Sequence, residues 1–211
     1  PFRSIVTPAK KLNWRRMWQG FGLWLLLVAL ASVVEYLLHP EIYTVVFDLR
    51  RFLPFALFVL LLIPMQTTAE ELLFRGYLLQ ATGHLSRNFW ALALINGLLF
   101  MVPHLGNPEM AVSPILLPLF YFSFGALFAF ITLQDNGAEL ALGAHAANNL
   151  YSALFANYTN SALQTESIFL VTELDPVYSL VSFLVMGLIF YFVLLRQGKQ
   201  RATLAESAAH D

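Results

Sequence analysis

Residues 60–80 read LLLIPMQTTAEELLFRGYLLQ and place two adjacent acids, Glu70 and Glu71, and one base, Arg75, deep within apolar sequence. Each charge of this kind inside a membrane helix costs about 3 kcal/mol even on lenient insertion scales. Two neighbouring acids cost more, because like charges repel strongly in a medium of low dielectric constant. Intramembrane charges usually mark a functional site, so this stretch predicts both a membrane span and a site within it.

The composition is that of an integral membrane protein. Of the 211 residues, 58% are hydrophobic and only 12% are charged, whereas a soluble domain is about half apolar and about a quarter charged. The net charge of −1 gives no reason to expect a nucleic-acid partner. The chain has no cysteine, which excludes disulfides, zinc–thiolate sites and thiol catalysis.

Six apolar stretches predict an all-α fold, a polytopic transmembrane helical bundle of about six spans. They cover residues 18–38, 52–80, 89–102, 112–133, 140–155 and 177–195, and a span takes about 20 residues. We expect one transmembrane domain over 18–196, preceded by a juxtamembrane segment (1–17) and followed by a tail (197–211). The link between the fifth and sixth stretches is compatible with a short interfacial helix.

Basic residues predict the orientation of the bundle. They cluster near both ends of the chain: Arg3, Lys10, Lys11, Arg15, Arg16, Arg196, Lys199 and Arg201. Because Lys and Arg favour the cytoplasmic side, we expect both termini to be cytoplasmic. The composition is compatible with a bacterial inner membrane or an organelle membrane of bacterial descent, and we expect the former. Arg50 and Arg51 oppose this orientation, which places them outside.

The spacing of the three charges suggests that the two acids are unequal. On a helix, Glu71 and Arg75 stand four residues apart on one face, in the order that suits an ion pair. Glu70 points about a quarter-turn away and is left free to exchange protons. The alternative is a structural ion pair near a helix end.

Three further polar residues interrupt apolar sequence. His104 ends the third stretch, while His145 and Asn149 lie one turn apart on the fifth. Alternatively, His104 is an interfacial cap, and the other two join helices by hydrogen bonds. At about 1.5 Å per residue, Glu70 and His104 lie at similar depths when counted from the turn near residues 84–87. His145, counted from the link near residues 134–139, lies somewhat shallower. We therefore expect the polar residues to converge in one intramembrane cavity.

Such a cavity suits hydrolysis of a peptide or amide bond. A carboxylate and a histidine can take a proton from water and later protonate a leaving amine, while a second histidine and an amide can stabilise an oxyanion. Two histidines and a carboxylate could instead bind zinc. The chain has no HExxH sequence, so the local signature of a helical zinc site is missing.

The ordered motifs EELLFR (70–75), FMVPH (100–104) and HAANN (145–149) resemble those of the CAAX-protease and bacteriocin-processing family. The resemblance implies an intramembrane glutamate endopeptidase similar to type II CAAX prenyl endopeptidases. It assigns water activation to Glu70 and His104, the oxyanion side to His145 and Asn149, and organisation of the site to Glu71 and Arg75. It also implies a mechanism without metal or another cofactor.

We therefore expect a membrane-embedded endopeptidase that cleaves a hydrophobic peptide or membrane-protein substrate near the cytoplasmic face. One alternative is a non-proteolytic scaffold or assembly factor of the same family that binds client membrane proteins. A small proton-coupled transporter is a third class, and the absence of an internal repeat weakens it.

Overall fold

The computed structural model describes residues 2–196 and has the predicted all-α architecture. Six helices follow one another along the chain: α1 (Trp14–Leu38), α2 (Leu49–Thr82), α3 (Phe89–His104), α4 (Leu116–Asp135), α5 (Glu139–Leu154) and α6 (Pro176–Leu195). The six predicted stretches correspond to these helices in order. The predicted tail, 197–211, lies outside the described residues.

Four of these helices, α1, α2, α4 and α6, are long and apolar enough to cross a membrane. The other two, α3 and α5, have 16 residues each, or about 24 Å, which is shorter than the ~30 Å hydrocarbon layer. Large apolar side chains cover the outer surface, for example Leu57, Leu61 and Leu188, each at least 60% exposed. Such a surface fits lipid, and the chain is an integral membrane protein.

Local sequence explains where several helices begin and end. Asn13 and Asn88 precede α1 and α3, and their side chains accept hydrogen bonds from the backbone N–H groups of Arg16 and Ala91. Asp175 caps α6 in the same way, and Pro176 follows it at the first helical position. Both features are typical of helix starts, because they satisfy or remove backbone donors that have no intrahelical partner.

One end of the bundle carries a small three-stranded sheet. Its strands are β1 (Tyr43–Val45), β2 (Ala156–Tyr158) and β3 (Phe169–Val171), in the order β1-β3-β2, with β1 antiparallel and β2 parallel to β3. They gather the α1–α2 and α5–α6 links at one side of the bundle, which we call the sheet end. In residues 159–175 the link forms β3 and turns, so the interfacial helix expected there is absent.

The opposite side, which we call the terminal end, is held together by polar contacts of the N-terminal segment. The backbone N–H of Asn13 donates to Glu139 Oε1 at 3.1 Å, and Arg16 forms an ion pair with Asp135. The Gln80 amide donates to the carbonyl oxygen of Ser4 at 3.1 Å. These contacts bring the start of α1 next to the ends of α2 and α4 and the start of α5.

Helices α1 and α5 pack with their backbones in direct contact. A Cβ atom at Gly20 would collide with the backbone of Leu140, and one at Gly143 would collide with the backbones of Met17 and Phe21. Small residues permit this approach, which membrane helices use because the bilayer supplies little hydrophobic driving force between them. The close contact positions α5, and with it His145, against the rest of the bundle.

Candidate active site

Helix α2 changes its winding at the motif EELLFR. It is α-helical as far as Glu71 and π-helical over Leu72–Leu78, and π-helical turns occur frequently at functional sites. The buried amide of Asn96, on α3, donates to the carbonyl oxygen of Phe74 at 2.7 Å. Asn96 therefore anchors the π-helical segment to the neighbouring helix. It lies outside the three motifs, and only its polarity within an apolar run marked it in the sequence.

Glu71 and Arg75 form the ion pair that their spacing predicts. Arg75 Nη1 donates to Glu71 Oε1 at 2.8 Å, and both side chains are fully buried. The guanidinium carbon lies 4.5 Å from the ring centroid of Phe100 and 5.5 Å from that of Phe128, positions that favour attraction between a cation and an aromatic face. The aromatic rings and the acid together hold the arginine charge inside the bundle.

His145 connects the two acids. Its Nδ1 lies 2.6 Å from Glu71 Oε1, and its Nε2 lies 3.6 Å from Glu70 Oε2. Because an ionised carboxylate accepts hydrogen bonds and cannot donate them, Nδ1 carries the proton in the contact with Glu71. Glu71 thus accepts from both Arg75 and His145, and it fixes the orientation of the imidazole. The sequence placed His145 near the acids but did not reveal this contact.

Glu70 faces open space while Glu71 does not. The Glu70 side chain is 27% exposed, and its Oε1 accepts a hydrogen bond from the amide of Gln66, one turn earlier on α2. Asn149 Nδ2 in turn donates to Gln66 Oε1 at 3.4 Å. Gln66 therefore links the first acid to the asparagine of the third motif. Its position four residues before Glu70 is a signal that sequence reasoning missed.

His104 is held by its own helix and by two aromatic rings. Its Nδ1 lies 2.7 Å from the carbonyl oxygen of Phe100, and its ring stacks on Phe100 and Tyr121 at centroid distances of 4.6 and 4.2 Å. A carbonyl oxygen can only accept, so Nδ1 donates. The neutral ring then keeps the lone pair on Nε2, as a proton acceptor requires.

Glu109, in the link between α3 and α4, holds Tyr121 in place. The Tyr121 hydroxyl donates to Glu109 Oε1 at 2.5 Å, and Asn107 Nδ2 donates to the same oxygen at 3.0 Å. Glu109 Oε2 accepts from the backbone N–H of Ala162 at 3.1 Å. This network ties the link to the α5–α6 connection, and so keeps both at the sheet end.

All four candidate catalytic residues line one cavity of about 570 Å³: Glu70, His104, His145 and Asn149. Gln66 and Tyr121 also line it. Glu71 and Arg75 lie behind the wall, where they contact His145 and the aromatic rings. Within residues 2–196, no group of three His, Asp or Glu side chains is arranged to hold a metal ion.

The cavity occupies the half of the bundle next to the sheet end. Its wall includes Glu35 near the end of α1, Tyr158 in β2 and Tyr178 at the start of α6. The described ends of the chain, near residues 2 and 196, lie toward the terminal end, whereas the cavity lies toward the sheet end. The depth estimate gave heights along the helices, and it did not address where the cavity opens.

Comparisons with known proteins agree with the motifs. The family described as type II CAAX prenyl endopeptidase Rce1-like matches residues 50–151, from the start of α2 into α5. Uncharacterized protein YyaK of Bacillus subtilis (strain 168) is 38% identical over 192 residues, which are 90% of this chain and 64% of that protein. The chain thus spans less than two thirds of that relative's length, and no solved structure gives a significant match. Over residues 50–151, which include its three motifs, the chain is similar to the type II CAAX prenyl endopeptidase Rce1-like family.

Proposed function

We propose that the protein is an intramembrane endopeptidase that hydrolyses a peptide bond in a hydrophobic or lipid-associated substrate. The observation that carries this proposal is the convergence of Glu70, His104 and His145 on one cavity. The similarity to the Rce1-like family supports a membrane protein of the CAAX-protease type. The buried pair Glu71–Arg75 supports the same proposal, because it orients His145 and leaves the neighbouring Glu70 open to the cavity.

In the proposed reaction Glu70 and His104 activate a water molecule. The water oxygen attacks the carbonyl carbon of the scissile bond while its proton passes to the Glu70 carboxylate or to His104 Nε2. The same proton then moves to the leaving nitrogen, and the C–N bond breaks. The observed contact of His104 Nδ1 with the Phe100 carbonyl suits this role, since it leaves Nε2 as the accepting atom.

Asn149 and His145 are proposed to stabilise the oxyanion. Asn149 Nδ2 carries two N–H groups and directs one toward Gln66, so a second remains for the substrate oxygen. His145 already donates through Nδ1 to Glu71. It can therefore donate to an oxyanion through Nε2 only when the ring is doubly protonated. Asn149 is consequently the donor that is ready in either protonation state of His145.

The proposed location follows from orientation and cavity together. We propose a bacterial inner membrane with both termini cytoplasmic, and the substrate bond then meets the catalytic residues from the outer half of the membrane. This replaces the expectation of cleavage near the cytoplasmic face. A peptide precursor or a membrane-protein client with a segment in the outer half is the substrate class that such a cavity favours.

The proposal is tested by comparing peptide termini across the proteome of a deletion strain restored with wild type or with Glu70→Gln. Glu70→Gln keeps the side-chain shape and removes the proton acceptor, so we expect termini that appear with wild type to be lost. Glu41→Gln, which changes an exposed acid at the sheet end, is the control, and the strain that carries it should show the same peptide termini as wild type. If Glu70→Gln restored the same termini, or rescued the strain fully, a scaffold role would replace the endopeptidase.

The proposed mechanism also needs no metal ion. Purified wild-type protein should cleave its substrate at the same rate before and after treatment with a strong chelator. Elemental analysis of the same sample accompanies the assay. A loss of activity that added zinc reverses would contradict the metal-free part of the proposal and leave the hydrolase in place.

A further inference from the structure

Besides Glu109, the cavity reaches another buried carboxyl group that the proposed reaction does not use. Glu35, near the end of α1, lines the same cavity as Glu70 and is only 4% exposed. Its Oε2 accepts a hydrogen bond from the Tyr43 hydroxyl at 2.6 Å. Its Oε1 has no hydrogen-bonding partner within residues 2–196. A buried polar atom left unpaired is costly, so Oε1 is an acceptor that lacks a donor.

Tyrosines surround this carboxyl group without supplying the missing donor. Four of them line the same part of the cavity and lie within electrostatic range of Glu35: Tyr43, Tyr151, Tyr158 and Tyr178. Tyr178 donates to the carbonyl oxygen of Ala31 at 2.5 Å, and Tyr43 already donates to the other oxygen of Glu35. None of the four hydroxyl groups donates to Oε1, which therefore stays a buried acceptor without a donor among the described residues.

The charge of this region favours a cation. No Lys or Arg is among the residues of the described chain that line the cavity. Asp175 and His39 are the charged or titratable neighbours outside the tyrosines that act on Glu35, and His39 is itself paired with Glu41. Burial and the bond to Glu35 raise the pKa of Tyr43, so its phenol keeps its proton and acts as a donor. A carboxylate with several aromatic side chains nearby is an arrangement that can bind an ammonium group.

We propose that Glu35 and the four tyrosines form a subsite, here called the Glu35 subsite, that binds an ammonium group of the peptide substrate. The group is a lysine side chain or a free N-terminus, which carry the same chemistry. Glu35 Oε1 accepts its N–H bond, and the tyrosine rings pack around it. This proposal rests on the proposed function in taking a peptide as the ligand. It adds that a cation bound at the sheet end sets which peptide bond lies at Glu70.

The test measures binding to full-length protein carrying Glu70→Gln, so that no turnover is required. The probes are leucine–alanine octapeptides with acetylated and amidated ends and one lysine, moved one position at a time. Each is matched by a peptide with norleucine in place of lysine, and one norleucine peptide keeps a free N-terminus. Fluorescence anisotropy then separates the lysine source from the N-terminal source.

We expect at least one ammonium-bearing peptide to bind about tenfold more tightly than its match, the scale of one charge-assisted hydrogen bond. Adding Glu35→Gln should abolish this preference, because the amide oxygen can still accept from Tyr43 while the charge is gone. Glu41→Gln, an exposed acid six residues away, should leave the preference unchanged. The comparison of lysine with norleucine remains informative even if Glu35→Gln lowers the amount of folded protein, because it is made on the parent protein.

Equal binding of every ammonium peptide and its match would overturn the Glu35 subsite, as would a preference that survives Glu35→Gln. Failure of the endopeptidase proposal looks different. In that case wild-type protein cleaves no peptide, while the ammonium preference still depends on Glu35. If wild type cleaves peptides without any ammonium preference, the subsite alone is wrong.

Discussion

Glu70 and Glu71 are adjacent in sequence and have opposite surroundings in the structure. Glu71 is fully buried and accepts hydrogen bonds from Arg75 and His145, whereas Glu70 is partly exposed on the cavity. The quarter-turn between successive helical residues produces this difference, because one side chain enters the protein interior and the next enters open space. Glu71 neutralises the buried charge of Arg75, and we propose that Glu70 activates the water molecule.

Replacing each acid by its amide should separate the two roles. Glu71→Gln leaves the buried Arg75 charge without its partner, and breaking a buried ion pair in this way costs about 3–5 kcal/mol of folding free energy. Glu70→Gln breaks no buried ion pair and should leave the midpoint of thermal unfolding close to that of wild type. Purified proteins in the same detergent are compared by circular dichroism. Similar midpoints for the two variants would contradict the structural role assigned to Glu71.

At the scale of elements, two helix features place the site. The π-helical segment of α2 is anchored by Asn96 of α3, and the backbone contact of α1 with α5 brings His145 to Glu71. Neither feature can be predicted from hydrophobicity, because the helix faces that contact lipid and those that contact other helices are equally apolar. Glycine carries the α1–α5 contact, since any side chain would separate the two backbones.

Gly20 and Gly22 offer a matched test of that contact within one helix. Gly20→Ala adds a Cβ that collides with the Leu140 backbone, while Gly22→Ala adds one with nothing within 4 Å. Overpacking of this kind costs about 1–3 kcal/mol, whereas alanine in an open helical position is stabilising by up to about 1 kcal/mol. We therefore expect a lower unfolding midpoint for Gly20→Ala only. Equal midpoints would show that α1 and α5 do not pack through Gly20.

At the scale of the whole molecule, the structure separates a terminal end from a sheet end. The terminal end carries Arg16 and the other basic residues of the N-terminal segment, and the sheet end carries the cavity. If basic residues mark the cytoplasmic side, the cavity faces the outer half of the membrane. Arg50 and Arg51, at the start of α2 on the sheet end, are outnumbered in this assignment.

The absence of native cysteine makes this orientation directly testable. Leu85→Cys lies in the α2–α3 turn at the terminal end, where Leu85 is 84% exposed, and Asn160→Cys lies in the exposed α5–α6 link at the sheet end. In intact cells a membrane-impermeant maleimide should label Asn160→Cys and not Leu85→Cys. Permeabilised cells should label both. The reverse pattern in intact cells would place the sheet end in the cytoplasm and return the proposed site to that side.

Local sequence patterns were enough to predict the helices and the residues of the candidate site. Runs of apolar residues predicted all six helices, since a span needs only enough consecutive lipid-compatible side chains. The i,i+4 spacing predicted the pair Glu71–Arg75, because both partners belong to one helix. The three motifs predicted a resemblance to the family that matches residues 50–151. Each of these signals lies within a few neighbouring residues.

Contacts between distant segments were decided by how the helices pack. His145 reaches Glu71 across 74 positions of sequence, and Gln66 joins Asn149 across 83; the rotation and tilt that permit these bonds depend on the whole bundle. The strands of the sheet have three residues each, too few for a recognisable alternation. The residues of the candidate site can thus be predicted from the sequence. Tertiary packing decides which side chains contact these residues. It also decides that the cavity extends to Glu35 and on which side the cavity opens, because these properties depend on several helices at once.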